Sequence, residues 1–291
     1  MNEIYPINEP LDLDTLVQHI KVSYSVENWN DVISISNELL ELAKEIHKEL
    51  LEKGSTSHVF GKHIIYYFGY SYLMTGLSYQ KLGVYTKSKE YISLYANLDW
   101  LDDSSETGKL IIQDFKFFAS ANSLQIDVLD GKQEKIAEYV EFLDNNPDQV
   151  LPGMINILRS ANHFNYNVDS EISQLSKHID DYTQYTEKIK SAYYLSYHYQ
   201  LALYRHKREE HESAIDITLH VLVAADRLGN DKYFKKAISL FEILRKFGKT
   251  SQLKTCYDIL NDIIMRGDLL NEKDHTFTND HTGSVSFYNL S

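Results

Sequence analysis

Residues Gly76 to Tyr95 read "GLSYQKLGVYTKSKEYISLY", and their spacing is that of two helices and a turn. From Tyr66 to Leu82 apolar and aromatic residues recur at helical intervals, "LGVY" interrupts them, and from Thr86 to Leu98 the pattern resumes. Gly83 is suited to the left-handed conformation that ends a helix, with Tyr85 packing back over the turn. Thr86 or the residue before it then starts a second helix, giving an antiparallel helix hairpin. Gly76 and Ser88 are the small residues where the two helices cross most closely. Tyr72, Tyr79, Tyr85, Ile92 and Tyr95 fill the space around that crossing.

Small and large residues at these spacings resemble the tetratricopeptide pattern, whose unit is about 34 residues. The arrangement recurs along the chain. Around Gly131, Ser120 and Leu124 precede a turn and Ile136, Val140 and Leu143 follow it. Around Gly248, Ala237, Phe241 and Leu244 precede, and Leu253, Tyr257 and Leu260 follow. "SAYYLSYHYQLALYRHKREEHESAIDITLHVL" lacks the turn glycine but keeps Ala202 before the turn and Ala214, Thr218 and Val221 after it. "PGMINILRSANHFNYNVDSEISQLSKHI" reads as a further pair, with Pro152 in a first turn. Near the N-terminus Trp29 and Val32 occupy the corresponding places. The expectation is an all-α chain of about six helix hairpins, stacked as a tetratricopeptide-like array in a right-handed superhelix. An irregular helical bundle is the alternative. The boundaries expected are an N-terminal extension over 1–14, the repeat domain over 15–270 and a polar tail over 271–291, in which "SVSFYNL" could lie on the last hairpin. "LEKGSTSHVFGKH" and "WLDDSSETGK" interrupt the array, the second with Ser104 or Ser105 as a helix cap.

Composition supports the helical reading and narrows function. The 291 residues include only 4 Pro and 12 Gly, too few breaks for a many-stranded β fold. The net charge of −13 repels nucleic acid unless a basic patch overrides it. The one basic run, "YRHKREEH", is answered at once by Glu209, Glu210 and Glu212, so direct nucleic-acid binding is not expected. The single cysteine, Cys256, sits among apolar neighbours and reads as a core residue. No signal peptide and no apolar run long enough for a membrane span are seen, so the expectation is a cytoplasmic chain without membrane contact.

Chemistry is sparse. No phosphate loop, dinucleotide fingerprint or nucleophile elbow is present. The 12 histidines are dispersed, with His275 and His281 in the tail. His58 and His63 lie five apart, the wrong interval for two ligands on one helix face, so no metal and no cofactor are expected. Asp102–Asp103 and Asp180–Asp181 are adjacent and suit helix capping better than acid–base work. The reading is a non-enzyme.

Tyrosine is over-represented, with 22 residues clustered in stretches such as "IIYYFGYSY". Such rings pack helix on helix while the hydroxyl seeks a partner, and they also suit protein contacts. In tetratricopeptide arrays the first helix of each hairpin lines the concave face. On this register that face carries Tyr70, Leu73 and Gln80 from the second hairpin, and Asn122 and Gln125 from the third. Arg159, Asn162 and Asn165 come from the fourth, Tyr199 and His206 from the fifth, and Arg245 from the sixth. Asn is a poor helix former, so Asn122, Asn156, Asn162 and Asn165 need a reason. Solvent exposure is one; gripping an extended peptide backbone, which an amide can both donate to and accept from, is another.

Tyr66 to Trp100, and "EYVEFLDNNPDQVLPGMINILRSANHFNYNVD", resemble the C-terminal sensor region of helix-turn-helix plus tetratricopeptide regulators of Gram-positive bacteria. The resemblance covers most of the chain from about Trp29. It implies a quorum-sensing type of module that binds a short signalling peptide or a partner protein, with a homodimer open. In that family a helix-turn-helix precedes the array; here only "MNEIYPINEPLDLD" precedes the first hairpin, so DNA binding is not carried over. A sensor fragment or a stand-alone member acting through protein contacts is expected. The class-level alternative is a scaffold without a small ligand.

Overall fold

The computed structural model describes residues 12–185 and 187–269; most of the N-terminal extension, the tail and its histidines lie outside them. Among the described residues there are twelve α-helices and no strand. They fall in consecutive pairs: α1 (Leu13–Ser25) and α2 (Trp29–Lys53), α3 (Ile64–Lys81) and α4 (Tyr85–Ala96), α5 (Glu106–Leu129) and α6 (Ile136–Asp144). Then come α7 (Val150–Phe164) and α8 (Asp169–Leu175), α9 (Lys188–Lys207) and α10 (His211–Arg227), α11 (Asp231–Leu244) and α12 (Thr250–Leu269). Each hairpin read from the sequence therefore lands on one of these pairs. The chain divides into two compact units, one ending at Ile126 and the other beginning at Asp127, so α5 runs across the division.

Local chemistry sets where the helices stop. Gly83 has φ +76°, and the turn closes through Gly83 N–H to Gln80 O at 3.0 Å and Val84 N–H to Tyr79 O at 2.9 Å. Beyond it, Ser88 Oγ donates to Gly76 O at 2.8 Å, so the small pair marks the crossing of α3 and α4. The α9–α10 turn has no glycine, and Glu209 takes the left-handed conformation itself, at φ 62°. Of the two candidate serines, Ser105 caps α5, its Oγ accepting from Gly108 N–H at 3.0 Å. Of the adjacent acids, Asp181 caps the short helical turn Tyr182–Gln184 by accepting from Thr183 N–H, and Asp103 accepts from Ser105 N–H ahead of α5, both at 3.0 Å.

In the first unit α3 packs against both α2 and α4 and is buried from Ile64 through Ser71. Tyr66, Tyr67 and Tyr70 on it are core residues. Tyr66 and Tyr70 stack at 5.4 Å, and Tyr67 donates to Asp14 Oδ1 at 2.6 Å. The other Asp14 oxygen accepts from Gly61 N–H at 2.6 Å, which pins the α2–α3 linker to α1. Gly69 gives α3 its close approach to α5: a Cβ there would lie 2.2 Å from the Phe115 ring.

In the second unit α9 lies between α7 and α10, and α10 packs in turn against α11. Ala202, Ala214, Leu222, Ala225 and Phe241 form the buried centre, joined by Cys256. Cys256 is 1% exposed, and burial pushes its thiol above the ordinary value, as a core residue requires.

Candidate functional site

In the first unit the candidates on α3 are buried. Tyr70 is 1% exposed, Leu73 6% and Gln80 7%. The expectation that they face an open groove is corrected by the packing of α3, which has neighbouring helices on several sides. Asn122 is half-buried, and its amide donates to Tyr95 OH at 3.0 Å. That bond satisfies a phenol from α4 that is itself in the core. Gln125 is also half-buried.

The second unit brings several candidates together on α7 and α9, in unexpected roles. Asn162 donates through Nδ2 to Gln200 O at 3.1 Å and to Gln200 Oε1 at 3.2 Å, tying α7 to α9. Its Oδ1 is buried without a hydrogen-bond partner. Its backbone carbonyl, in the last turn of α7, accepts from Lys207 Nζ, where a cation suits the helix dipole. Asn162 is thus a helix-to-helix tie instead of an open clamp. Asn165 is not on the helix face at all. It ends α7 in the left-handed conformation at φ 58°, with its N–H on Ala161 O at 2.8 Å. Asparagine tolerates that geometry better than most residues, which is the reason for this amide.

The remaining candidates divide by their partners. Tyr199 meets Tyr233 edge-on at 6.2 Å, with Lys236 5.4 Å from its ring centre. His206 faces His211 across the α9–α10 turn. Arg245 pairs with Glu242 at 2.6 Å and lies 5.2 Å from the Phe241 ring centre, so its charge is already answered. Arg159 differs. It is exposed and makes no ion pair or hydrogen bond among the described residues. It belongs to a stripe, Asn156, Arg159 and His163, at i, i+3 and i+7 on α7. Asn156 is 7% exposed, and its amide makes no hydrogen bond to the described protein. This short run of donors on one helix face is the best candidate site. Gln200 and Lys207, the partners of Asn162, were not legible from hairpin spacing, because they act through a contact between separate hairpins.

A second cluster lies deeper. Tyr194 OH and His220 Nε2 are 2.7 Å apart, and the His198 and His220 rings are centred 5.0 Å apart. Tyr182 and Tyr185, from the α8–α9 connection, close over Tyr194 at 6.4 Å and 5.2 Å. Burial, aided by His220, brings the His198 pKa down to about 4, and burial lowers that of His220 as well. Both rings are neutral at physiological pH and act as packing elements. Among the described residues no three His, Cys, Asp or Glu side chains are arranged to hold a metal ion. Surface depressions lie elsewhere: one between α6 and α8, beside Val140, Asp144 and Gln174, the other at the start of α10, beside Glu209 and Asp216. Neither includes the α7 stripe. Comparison with known proteins adds no relative: the chain matches no known protein family, no curated protein and no solved structure. Among the described residues no helix is long and apolar enough to cross a membrane.

Proposed function

We propose that this chain is a regulatory, tetratricopeptide-type helical-repeat module of a bacterial transcriptional or signalling regulator, working in the cytoplasm without catalysis. Its ligand is a short peptide or an extended segment of a partner protein, held on the second unit. The observation that carries this reading is the α7 stripe. Asn156 and Arg159 are polar groups on a largely buried helix, and neither makes a hydrogen bond or ion pair among the described residues. Asn156 can donate to and accept from a peptide group, and Arg159 presents a fork suited to a carboxylate. The side-by-side packing of α7 and α9, first helices of successive hairpins, supports a tetratricopeptide-like stacking in this unit.

The first unit favours a different use. With Tyr70, Leu73 and Gln80 buried, these α3 side chains serve packing, which suits a scaffold. The test is to recover co-purifying peptides from the native host by mass spectrometry and titrate each into wild-type, Asn156→Ala and Arg159→Ala protein by calorimetry. Loss of either group is expected to weaken binding by about 1–3 kcal/mol with folding intact. A bound peptide unaffected by both changes removes the α7 stripe from the site, and the absence of any peptide leaves the scaffold reading.

A further inference from the structure

We propose that His206 and His211 form a two-histidine site for a first-row divalent transition-metal ion, with zinc the ion its geometry suits. The two Nδ1 atoms are 3.3 Å apart. A tetrahedral zinc bound by two imidazole nitrogens at about 2.0–2.1 Å holds them about 3.3 Å apart, so the pair already has the required bite. The same separation suits an Nδ1–H of one ring donated to the Nδ1 of the other; on zinc binding the donating ring converts, by proton exchange with solvent, to its Nε2–H tautomer, so that both Nδ1 lone pairs face the ion.

The surroundings hold the rings in place. His211 stacks on Phe247 at 3.7 Å and 17°, and His206 lies 6.4 Å from the same ring. Glu209, in the turn between the two histidines, makes no ion pair among the described residues. Neighbouring Glu210 and Glu212 pair with Arg205 and Lys249. Among the described residues no third protein ligand is arranged around the pair, so water fills the remaining positions and the site is weaker than a closed structural zinc site. The sequence disguises this pair. Residues five apart diverge on one helix, but the α9–α10 turn falls between these two and brings their rings together.

The test is calorimetric titration of the full chain with zinc chloride, followed by His206→Gln, His211→Gln and, as a control, the exposed His19→Gln. One saturable site per chain is expected in the wild type and in the control. Either site variant should weaken it by about 100-fold or more, beyond the roughly 10–100-fold that loss of a supporting partner costs. Long-range proton–nitrogen NMR of the histidine rings should show two Nδ1 resonances shifting together on zinc addition. No saturable binding, or binding unchanged in both site variants, overturns the proposal, and so does a response confined to Nε2.

Discussion

Replacing Gly69 with Ala tests the first unit at its tightest point. Left to helix propensity alone, Gly→Ala inside α3 stabilises by about 0.5–1 kcal/mol. The structure reverses that sign. The added Cβ would stand 2.2 Å from Phe115 Cε2 and 2.5 Å from two further ring atoms, far inside contact distance. Phe115 cannot easily yield: it is fully buried, 6.3 Å from the Tyr95 ring and 5.8 Å from the Phe118 ring. Overpacking of this kind costs about 1–3 kcal/mol, and a ring clamped on several sides places Gly69 at the upper end. The net expectation after the propensity gain is a loss of about 2 kcal/mol. Urea unfolding monitored by circular dichroism measures it. The change should couple with Phe115→Leu, because the smaller side chain makes room: the double variant should be more stable than the two single costs predict. A Gly69→Ala protein more stable than wild type would mean that Phe115 does not lie on this glycine, and the packing of α3 against α5 would be wrong.

Other expectations are simpler. Glu209→Gly should stabilise by about 1 kcal/mol, since glycine adopts the left-handed turn conformation without penalty; a melting temperature that falls would refute the turn geometry. Asn162→Ala should cost about 1–3 kcal/mol in thermal melts, because Gln200 loses its partner, whether or not a peptide is present. The pH dependence follows from His198. Its folded pKa, about 4, lies below the ordinary 6.5, so the unfolded chain binds the proton first. The contribution is therefore complete above about pH 6.5 and is lost as pH falls toward 4, by at most roughly 3 kcal/mol. His198→Phe should flatten the fall in melting temperature between those limits, and an unchanged slope would remove His198 as its source.

Much of the fold is legible because hairpin chemistry is local. Gly76 and Ser88 are close in sequence, and so are Gly83 and Tyr85, so the turn and the crossing follow from spacing. Ser105 and Asp181 were equally readable, since a cap needs only its next few residues. What spacing cannot convey is contact between hairpins. Gly69 meets Phe115 and Asn162 meets Gln200, each a pair drawn from different hairpins. The same limit explains the errors in the site. The register put Tyr70 on a first helix correctly, but burial of that helix depends on neighbours the pattern does not name. The register puts Asn165 among the groove amides, whereas it ends α7 in the left-handed conformation.

These corrections also bear on where a ligand would sit. A polar group on a buried helix is costly unless something accepts or donates to it. In the first unit several of those demands are met internally, Tyr67 by Asp14, Ser88 by Gly76, and Tyr95 by Asn122, while Ser36 Oγ is buried without a hydrogen-bond partner. In the second unit Asn162 is only half satisfied, and Asn156 and Arg159 are not satisfied at all by the described protein. Asn156 and Arg159 share the i, i+3 stripe on α7, while Asn162 reaches from that helix to α9. A surface cation is stable in water, so Arg159 alone requires no ligand. Asn156 is the sharper case, because the residue is only 7% exposed and its amide bonds to none of the described protein. An extended peptide laid along α7 would supply both an acceptor for that amide and a carboxylate for Arg159. Ser36 Oγ of the first unit is unmet too, but it lies inside the core, whereas Asn156 and Arg159 share a helix face that reaches solvent, so the argument for ligand binding is made on the second unit.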